Sequence, residues 1–495
     1  MSMIKVDNLT FSYPGSGDNI FENVSFQIDT DWKLGFVGRN GRGKTTFLRL
    51  LLGKYEYSGK IISSVQFDYF PYEVPDKSEM TENILHRICP LAEDWELMRE
   101  LSLLDVCADV LYRPFETLSN GEQTKTLLAA LFLNEGHFLL IDEPTNHLDI
   151  SARKIVSAYL QKKKSFILVS HDRSFLDGCT DHILSLNRAN IEVQSGNFSS
   201  WMENFERQQS FETSQSERLK KDIARLKQSA RRAAAWSERT ESGKYGVQDS
   251  GLKADRGYVG HKSAKMMKQS KAIEARREQA IEQKSELLKN TETAENLKIS
   301  PLVYHSDTLV SFSDVSVSYS EKNVCNHVSF TVKRGDRIAL DGKNGSGKSS
   351  LLKLLTGQPI EHTGEVHIGS GLVISYVPQD TSHLRGSLSD FARQSGIDES
   401  LFKTILRKMD FERIQFEKDM SDLSEGQKKK VLIAGSLCKH AHLYVWDEPL
   451  NFIDLYSRMQ IEQLITEFSP TMVFVEHDSA FRAAAATKTV QLHLL

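Results

Sequence analysis

The chain of 495 residues contains no apolar run approaching the ~18–20 residues that cross a bilayer, which argues against a transmembrane segment. Its first residues, Met1-Ser2-Met3-Ile4-Lys5-Val6-Asp7, lack the apolar core of a signal peptide and pass straight into a strand-like pattern. Cysteine is scarce. The five residues Cys89, Cys107, Cys179, Cys325 and Cys438 are scattered, and none are in Cys-x-x-Cys spacing. That leaves no clustered zinc ligands and fits reduced, buried thiols in a cytoplasmic protein. An apolar fraction of 40% and a charged fraction of 26% are those of a soluble globular protein. The length suggests about three domains.

The net charge of −4 is unevenly spread. Residues 201–300 hold 21 Lys+Arg against 15 Asp+Glu, a net of +6, so the remainder carries −10. From Arg225 to Lys271 the count is 12 against 4, a net of +8. A basic middle on an acidic body suits a polyanion-binding arm. A solvated helical surface gives the same count.

Residues 1–200 and about 308–495 form two copies. Each starts with a strand ending in an aromatic, Leu9-Thr10-Phe11-Ser12-Tyr13 and Val315-Ser316-Val317-Ser318-Tyr319. A second strand (Lys33–Val37 and Arg337–Asp341) then feeds a glycine-rich loop, and a helix follows (Thr46–Leu51 and Ser350–Leu355). The loops read Gly38-Arg39-Asn40-Gly41-Arg42-Gly43-Lys44-Thr45 and Gly342-Lys343-Asn344-Gly345-Ser346-Gly347-Lys348-Ser349, both G-x-x-x-x-G-K-[ST]. A later apolar strand in each copy ends in acids, Asp142-Glu143 and Asp447-Glu448. Near-continuous apolar strands of this kind predict an α/β fold with a parallel sheet covered on both faces.

The middle reads as helix. Leu219, Ile223, Leu226, Ala230 and Ala233 recur at gaps of four and three, one seam of a coiled-coil-like helix. Glycines at 243, 246, 251, 257 and 260 break it, and Met266, Ile273, Ala280 and Leu287 resume with a seven-residue period. The pattern predicts a long antiparallel α-helical hairpin over residues 201–300 with an irregular basic tip near 240–262. Its first helix is expected over Trp201–Trp236. The expected domains are 1–200, 201–300 and 301–495.

Each glycine-rich loop would wrap backbone N–H groups around phosphates, with Gly38, Asn40, Gly41 and Gly43 in one copy and Gly342, Asn344, Gly345 and Gly347 in the other. Lys44 and Lys348 would neutralise the β and γ phosphates of ATP. Thr45 and Ser349 would ligate Mg²⁺, and Thr46 and Ser350 follow them on the loop. Asp142 and Asp447 are placed to hold Mg²⁺ as well. Glu143 and Glu448 would orient or deprotonate the attacking water. An acidic pair at a strand end can instead cap a following helix.

These motifs resemble an ATP-binding-cassette ATPase pair. Leu118-Ser119-Asn120-Gly121-Glu122-Gln123 and Leu423-Ser424-Glu425-Gly426-Gln427 are similar to that family's signature motif, except that Asn120 and Glu425 replace its third-position glycine. The resemblance implies that Ser119 and Gly121 bind the γ-phosphate held by Lys348, and Ser424 and Gly426 the one held by Lys44, in an intramolecular dimer of ATPase domains within a monomeric chain. It makes Tyr13 and Tyr319 the aromatics that stack on adenine, a position a core aromatic can also fill. It makes His171 and His477 the γ-phosphate sensors and Gln379 a Mg²⁺ ligand. In the first copy Tyr72 stands where the glutamine is expected and cannot supply a carboxamide oxygen, so that site is expected to bind Mg²⁺ differently or to hydrolyse more slowly.

Thr145-Asn146-His147-Leu148-Asp149 and the charged linker resemble the ABC-F subfamily, most of all its antibiotic-resistance branch of Lsa-type and related proteins. Trp32-Lys33-Leu34-Gly35, Trp446-Asp447-Glu448-Pro449-Leu450-Asn451, Trp236-Ser237 and Lys244-Tyr245-Gly246 carry that likeness. It implies two ATP molecules with Mg²⁺, the bacterial 70S ribosome as partner (23S rRNA and P-site tRNA), no membrane, a cytoplasmic location, and displacement of lincosamide, pleuromutilin or streptogramin A drugs from the peptidyl-transferase centre. Trp236, Lys244, Tyr245, Tyr258 and Lys262 are the tip candidates for that contact, through phosphate neutralisation and base stacking. Two other readings stay open at this point, a housekeeping translation factor and the ATPase subunit of a drug exporter. GTP is also compatible with a stacked tyrosine.

Overall fold

A computed structural model of the chain describes residues 2–14, 19–146, 148–186, 191–242, 297–319 and 322–492, with ten further positions between 261 and 281. The chain divides into two compact units. One holds both copies (Met1–Leu186, Asn190–Trp201 and Ala294–Leu495), and the other holds Asn187–Ala189 with Met202–Thr293.

Each copy is built on a parallel sheet. In the first the strand order is Gln66–Phe70, His137–Asp142, Phe166–Val169, Lys33–Gly38, His182–Leu186 and Ile191–Ser195, with only the last pair antiparallel. In the second it is Ile374–Val377, Leu443–Asp447, Met472–Val475, Arg337–Asp341 and Lys488–Gln491, parallel throughout. The central strands are apolar because both faces are covered: Phe138, Leu140, Ile141 and Leu443 to Val445 are fully buried. A three-stranded antiparallel sheet lies over each copy, Phe21–Asp29, Met3–Phe11 and Ser58–Ile62 in one, and Lys322–Lys333, Thr308–Tyr319 and His362–Ile368 in the other. Between the sheets Phe47 and Leu48, or Leu351 and Leu352, from the helix after the glycine-rich loop fill the core.

This topology sets the site. The strand Lys33–Gly38 lies between Phe166–Val169 and His182–Leu186, and Asp142 pairs with Val169. The glycine-rich loop, the acidic pair and the residue after Ser170 therefore leave the sheet at one carboxyl edge, where open α/β sheets bind ligands.

Three boundaries differ from expectation. The first copy's opening strand stops at Phe11, so Tyr13 lies beyond it, whereas its counterpart runs through Tyr319. The helices after the glycine-rich loops begin at Lys44 and Lys348, earlier than the apolar pattern signals. One helix spans Phe198–Ser242, 45 residues, all but its first four in the second unit, and exceeds the expected Trp201–Trp236 at both ends. Its extension runs through polar residues such as Glu238 and Thr240, which an apolar seam does not register. The described positions from His261 to Ile281 are helical too.

Candidate nucleotide sites

The loop backbones are shaped for phosphate. Gly43 and Gly347 precede the helices in the left-handed region, at φ 100° and 84°. A Cβ on Gly43 would come within 2.5 Å of Ile20 Cγ2, so both conformation and space demand glycine there. Each loop lysine folds back on its own loop. Lys44 Nζ donates to the carbonyls of Gly38 (2.7 Å) and Arg39 (3.1 Å), and Lys348 Nζ to those of Gly342 (2.7 Å) and Lys343 (3.0 Å). Burial lowers both lysine pKa values, while Glu143 beside Lys44 and Glu448 beside Lys348 pull the other way.

Around Lys348 a cavity of about 810 Å³ brings the two copies together. Gly345, Gly347, Lys348, Ser349 and Ser350 line one wall with Gln379, Glu448 and His477. Ser119, Asn120, Gly121 and Glu122 of the other copy line the opposite wall. Asn344 lines it too, and Tyr319, 47% exposed, reaches it through a hydroxyl contact to Ser350 Oγ at 3.1 Å. Gln379 Nε2 donates to Glu448 Oε2 at 2.8 Å, and His477 Nε2 lies 3.3 Å from Glu448 Oε1. Burial pushes the Glu448 carboxyl up, but the His477 hydrogen bond, His477 charge and Lys348 outweigh it and leave its pKa lowered. Burial raises Asp447 to about 6, opposed by a hydrogen bond from Ser349. Asp447 Oδ1 is buried and has no hydrogen-bond partner among the described residues. An orphaned carboxylate oxygen beside a serine hydroxyl is a fit for a divalent cation.

Around Lys44 the cavity is smaller, about 350 Å³. It is lined by Tyr13, Asn40, Gly41, Gly43, Lys44, Thr45, Thr46, Asp142, Glu143 and His171. Thr45 Oγ1 donates to Asp142 Oδ2 at 2.8 Å, which also accepts from Tyr69 at 3.0 Å. His171 Nε2 lies 3.0 Å from Asn40 Oδ1 and 3.3 Å from Glu143 Oε1. Burial, reinforced by Lys44, holds His171 well below 6.5 and neutral. Burial and the Asp142 charge raise Glu143 to about 8. Tyr13 hydrogen-bonds Thr46 Oγ1 at 2.9 Å, while Tyr72 is not among the lining residues. Ser424 does not line this cavity, but Gly426 borders the loop: a Cβ there would collide with the Phe452 carbonyl oxygen and stand 3.1 Å from Asn40 Nδ2. Asn40 Nδ2 donates to that same oxygen at 2.7 Å.

Both signature serines are helix caps. Ser119 Oγ accepts from the Glu122 N–H and Ser424 Oγ from the Gln427 N–H, each in a capping box; the N-terminus of Asn120–Leu131 lines the larger cavity, and Gly426 of Glu425–Cys438 borders the Lys44 loop. Sequence reasoning missed Lys429. Its buried Nζ donates to the Pro378 carbonyl at 2.9 Å and the Asp447 carbonyl at 3.4 Å, joining the segment before Gln379 to the acidic strand end. Lys429 is the middle of three lysines, Lys428-Lys429-Lys430, directly before the apolar run Val431-Leu432-Ile433, and that pattern reads as an ordinary charged helix start. Of the tip candidates, Trp236 falls on the helix Phe198–Ser242, but its side chain, with Lys244, Tyr245, Tyr258 and Lys262, lies outside the described residues.

The family model described as ABC transporter matches residues 21–146 and again 325–451. The chain is 26% identical over 484 residues to the ribosome protection protein VmlR of Bacillus subtilis strain 168, covering 95% of this chain and 83% of that protein. It is 25% identical over 522 residues to the energy-dependent translational throttle protein EttA of Haemophilus influenzae, covering 95% and 88%. An archaeal ribosome recycling factor, aABCE1, solved with the stalk protein aP1, shares the fold at TM-score 0.63 and 18% identity, over 98% of this chain and 87% of that one. The chain belongs to the ABC transporter family of ATP-binding-cassette proteins, and within it to the ABC-F ATPases. It is an ATPase, converting ATP and water to ADP and phosphate. No described helix is long and apolar enough to cross a membrane.

Proposed function

We propose that the chain is a cytoplasmic, ribosome-binding ATPase that protects bacterial ribosomes from drugs. Two ATP molecules bind between the copies, one on Lys348 with Ser119 and Gly121, the other on Lys44 with Ser424 and Gly426. The observation that carries this reading is the cavity in which Ser119 and Gly121 face Lys348 across the two copies. ATP there joins the copies because each phosphate needs both walls. Glu448 and Glu143 act as bases toward water, and His477 and His171 hold those carboxylates in place. Ser349, Asp447 and Gln379 would hold Mg²⁺ at one site, and Thr45 and Asp142 at the other, where the ion would offset charge on the β and γ phosphates.

In the ATP-closed state the chain occupies the ribosomal E site. Its linker, residues 201–300, meets 23S rRNA and P-site tRNA and dislodges lincosamide, pleuromutilin or streptogramin A drugs. The net charge of +8 between Arg225 and Lys271 supports contact with RNA, as does the likeness to a protein named for ribosome protection. The translational throttle protein among its relatives favours a second reading, a housekeeping factor that acts on stalled ribosomes.

Drug susceptibility separates the two. The chain is expressed in a sensitive bacterium lacking related proteins, beside the Glu143→Gln/Glu448→Gln double variant. Higher inhibitory concentrations with the wild type alone, at unchanged drug accumulation, are expected. No protection, with the double variant still held on ribosomes and growth arrested, would favour the housekeeping reading.

A further inference from the structure

The phosphate loop around Lys44 is tied to the second copy by charge. Asp410 follows the helix Glu399–Lys408, with its backbone in the left-handed region at φ 62°. Its Oδ2 lies 3.4 Å from a terminal nitrogen of Arg39 and 3.4 Å from one of Arg42. These arginines bracket Asn40-Gly41, the part of the loop that faces phosphate. Arg39 is 4% exposed and its guanidinium lies 5.2 Å from the centre of the Tyr456 ring, also in the second copy. Together with the Asn40 hydrogen bond to Phe452, three loop residues are anchored on the opposite copy.

The other loop is held differently. Asp105, at φ 54°, stands where Asp410 does in the repeat and lines the larger cavity with Lys343, the counterpart of Arg39. The counterpart of Arg42 is Ser346, which is neutral and buried. Asp105 there shares the cavity lining with one cation, Lys343, whereas Asp410 lies within 3.4 Å of two.

We propose that Asp410 is a positioning residue of the Lys44 site, which fixes the phosphate loop in place through Arg39 and Arg42. Two guanidinium groups flanking a short loop repel each other, and a carboxylate shared between them offsets that repulsion. When it is removed, Arg39 loses this counter-charge in a place with little water, and the loop N–H groups lose their alignment toward phosphate. This inference rests on the reading of Lys44 as an ATP-binding residue.

The test uses full-length chain and a fluorescent ATP analogue. Lys348→Ala leaves only the Lys44 site, and Lys44→Ala leaves only the other. Asp410→Asn is expected to raise the analogue's Kd about fivefold in the Lys348→Ala chain, with no change in the Lys44→Ala chain. Asp410→Glu restores binding, and Arg42→Gln gives the same loss if Asp410→Asn fails to fold. Added salt reduces the loss only through the part-exposed Arg42, because the buried Arg39 pair is screened little. An unchanged or tighter Kd, or equal loss at both sites, overturns the proposal. Unaltered analogue binding in the Lys44→Ala/Lys348→Ala chain would instead overturn the reading of the sites themselves.

Discussion

Glu143 and Glu448 occupy the same position in two copies, yet their surroundings set them apart. Glu143, buried beside Asp142, is raised to about 8, while the His477 contact and nearby lysines hold Glu448 below its ordinary value. A carboxyl acts as a base only when ionised. Glu448 is ionised at neutral pH and Glu143 is mostly protonated. Turnover of the Glu448→Gln variant, which leaves the Lys44 site, is therefore expected to climb about tenfold from pH 7 to pH 9. The Glu143→Gln variant, which leaves the Lys348 site, is expected to stay flat and to turn over faster at pH 7. Steady-state ATPase assays across that range decide it, and two parallel profiles would refute it. Tyr72, which replaces the expected glutamine, already predicts unequal sites, and the carboxyl environments give the inequality a second cause. Those environments could not be read in the sequence, because burial depends on the whole fold. Glu476 shows the same limit. It sits where the first copy has Ser170, and burial raises it to about 8, with Arg458 pulling down. Its Oε2 has no hydrogen-bond partner among the described residues. A carboxyl raised in the fold favours the folded state fully below about pH 4.5 and loses that contribution as pH rises toward 8. Glu476→Gln should match the wild-type Tm at pH 5 and exceed it by at least a few degrees at pH 9.

At the scale of elements, the caps carry two duties. Ser424 begins the helix Glu425–Cys438, in which Gly426 borders the Lys44 loop at Asn40. Ser424→Ala removes the cap and is expected to cost about 1 kcal/mol of stability. Ser424→Asp separates the duties. Aspartate caps as well as serine does, but sets a carboxylate where the γ-phosphate is expected. In the Lys348→Ala chain, which leaves only the Lys44 site, that substitution should keep the Tm without nucleotide and lose the shift that ATP produces, as measured by thermal unfolding with and without ATP. A Tm shift equal to that of Lys348→Ala alone would remove Ser424 from the phosphate site. Strand–loop–helix order was legible because apolar runs, paired glycines and Gly-Lys-Thr or Gly-Lys-Ser are local signals. The capping boxes, Ser119 with Glu122 and Ser424 with Gln427, are local patterns as well, but they were recognised only in the structure. Less legible were ends that polarity does not mark, such as the extension of the long helix to Ser242 and the stop of the first strand at Phe11. Lys429 was hidden for another reason. Its partners are backbone carbonyls 51 and 18 positions away, and carbonyls leave no trace in a residue pattern.

For the whole molecule, the duplicated motifs pointed to two nucleotide sites, but only folding brings Asn40 to Phe452, 412 positions away. The same scale holds the question of how ATP-driven closure is linked to a ribosome. The second unit offers exposed cations at Arg225, Arg232, Lys265, Lys268 and Lys271. If that unit meets RNA, each phosphate contact releases condensed counterions, and log affinity falls with log salt by about 0.7–0.9 per contact. Changing all five residues to glutamine should weaken cosedimentation of the Glu143→Gln/Glu448→Gln chain with ribosomes at low salt. It should also flatten the salt slope by up to about four. ATPase turnover without ribosomes, measured in the five-glutamine chain with both glutamates restored, should be unchanged, because these residues line neither nucleotide cavity. Weaker binding with an unchanged slope would mean the linker acts by shape or stacking rather than charge. Unchanged binding at every salt concentration would take the linker out of the ribosomal contact altogether.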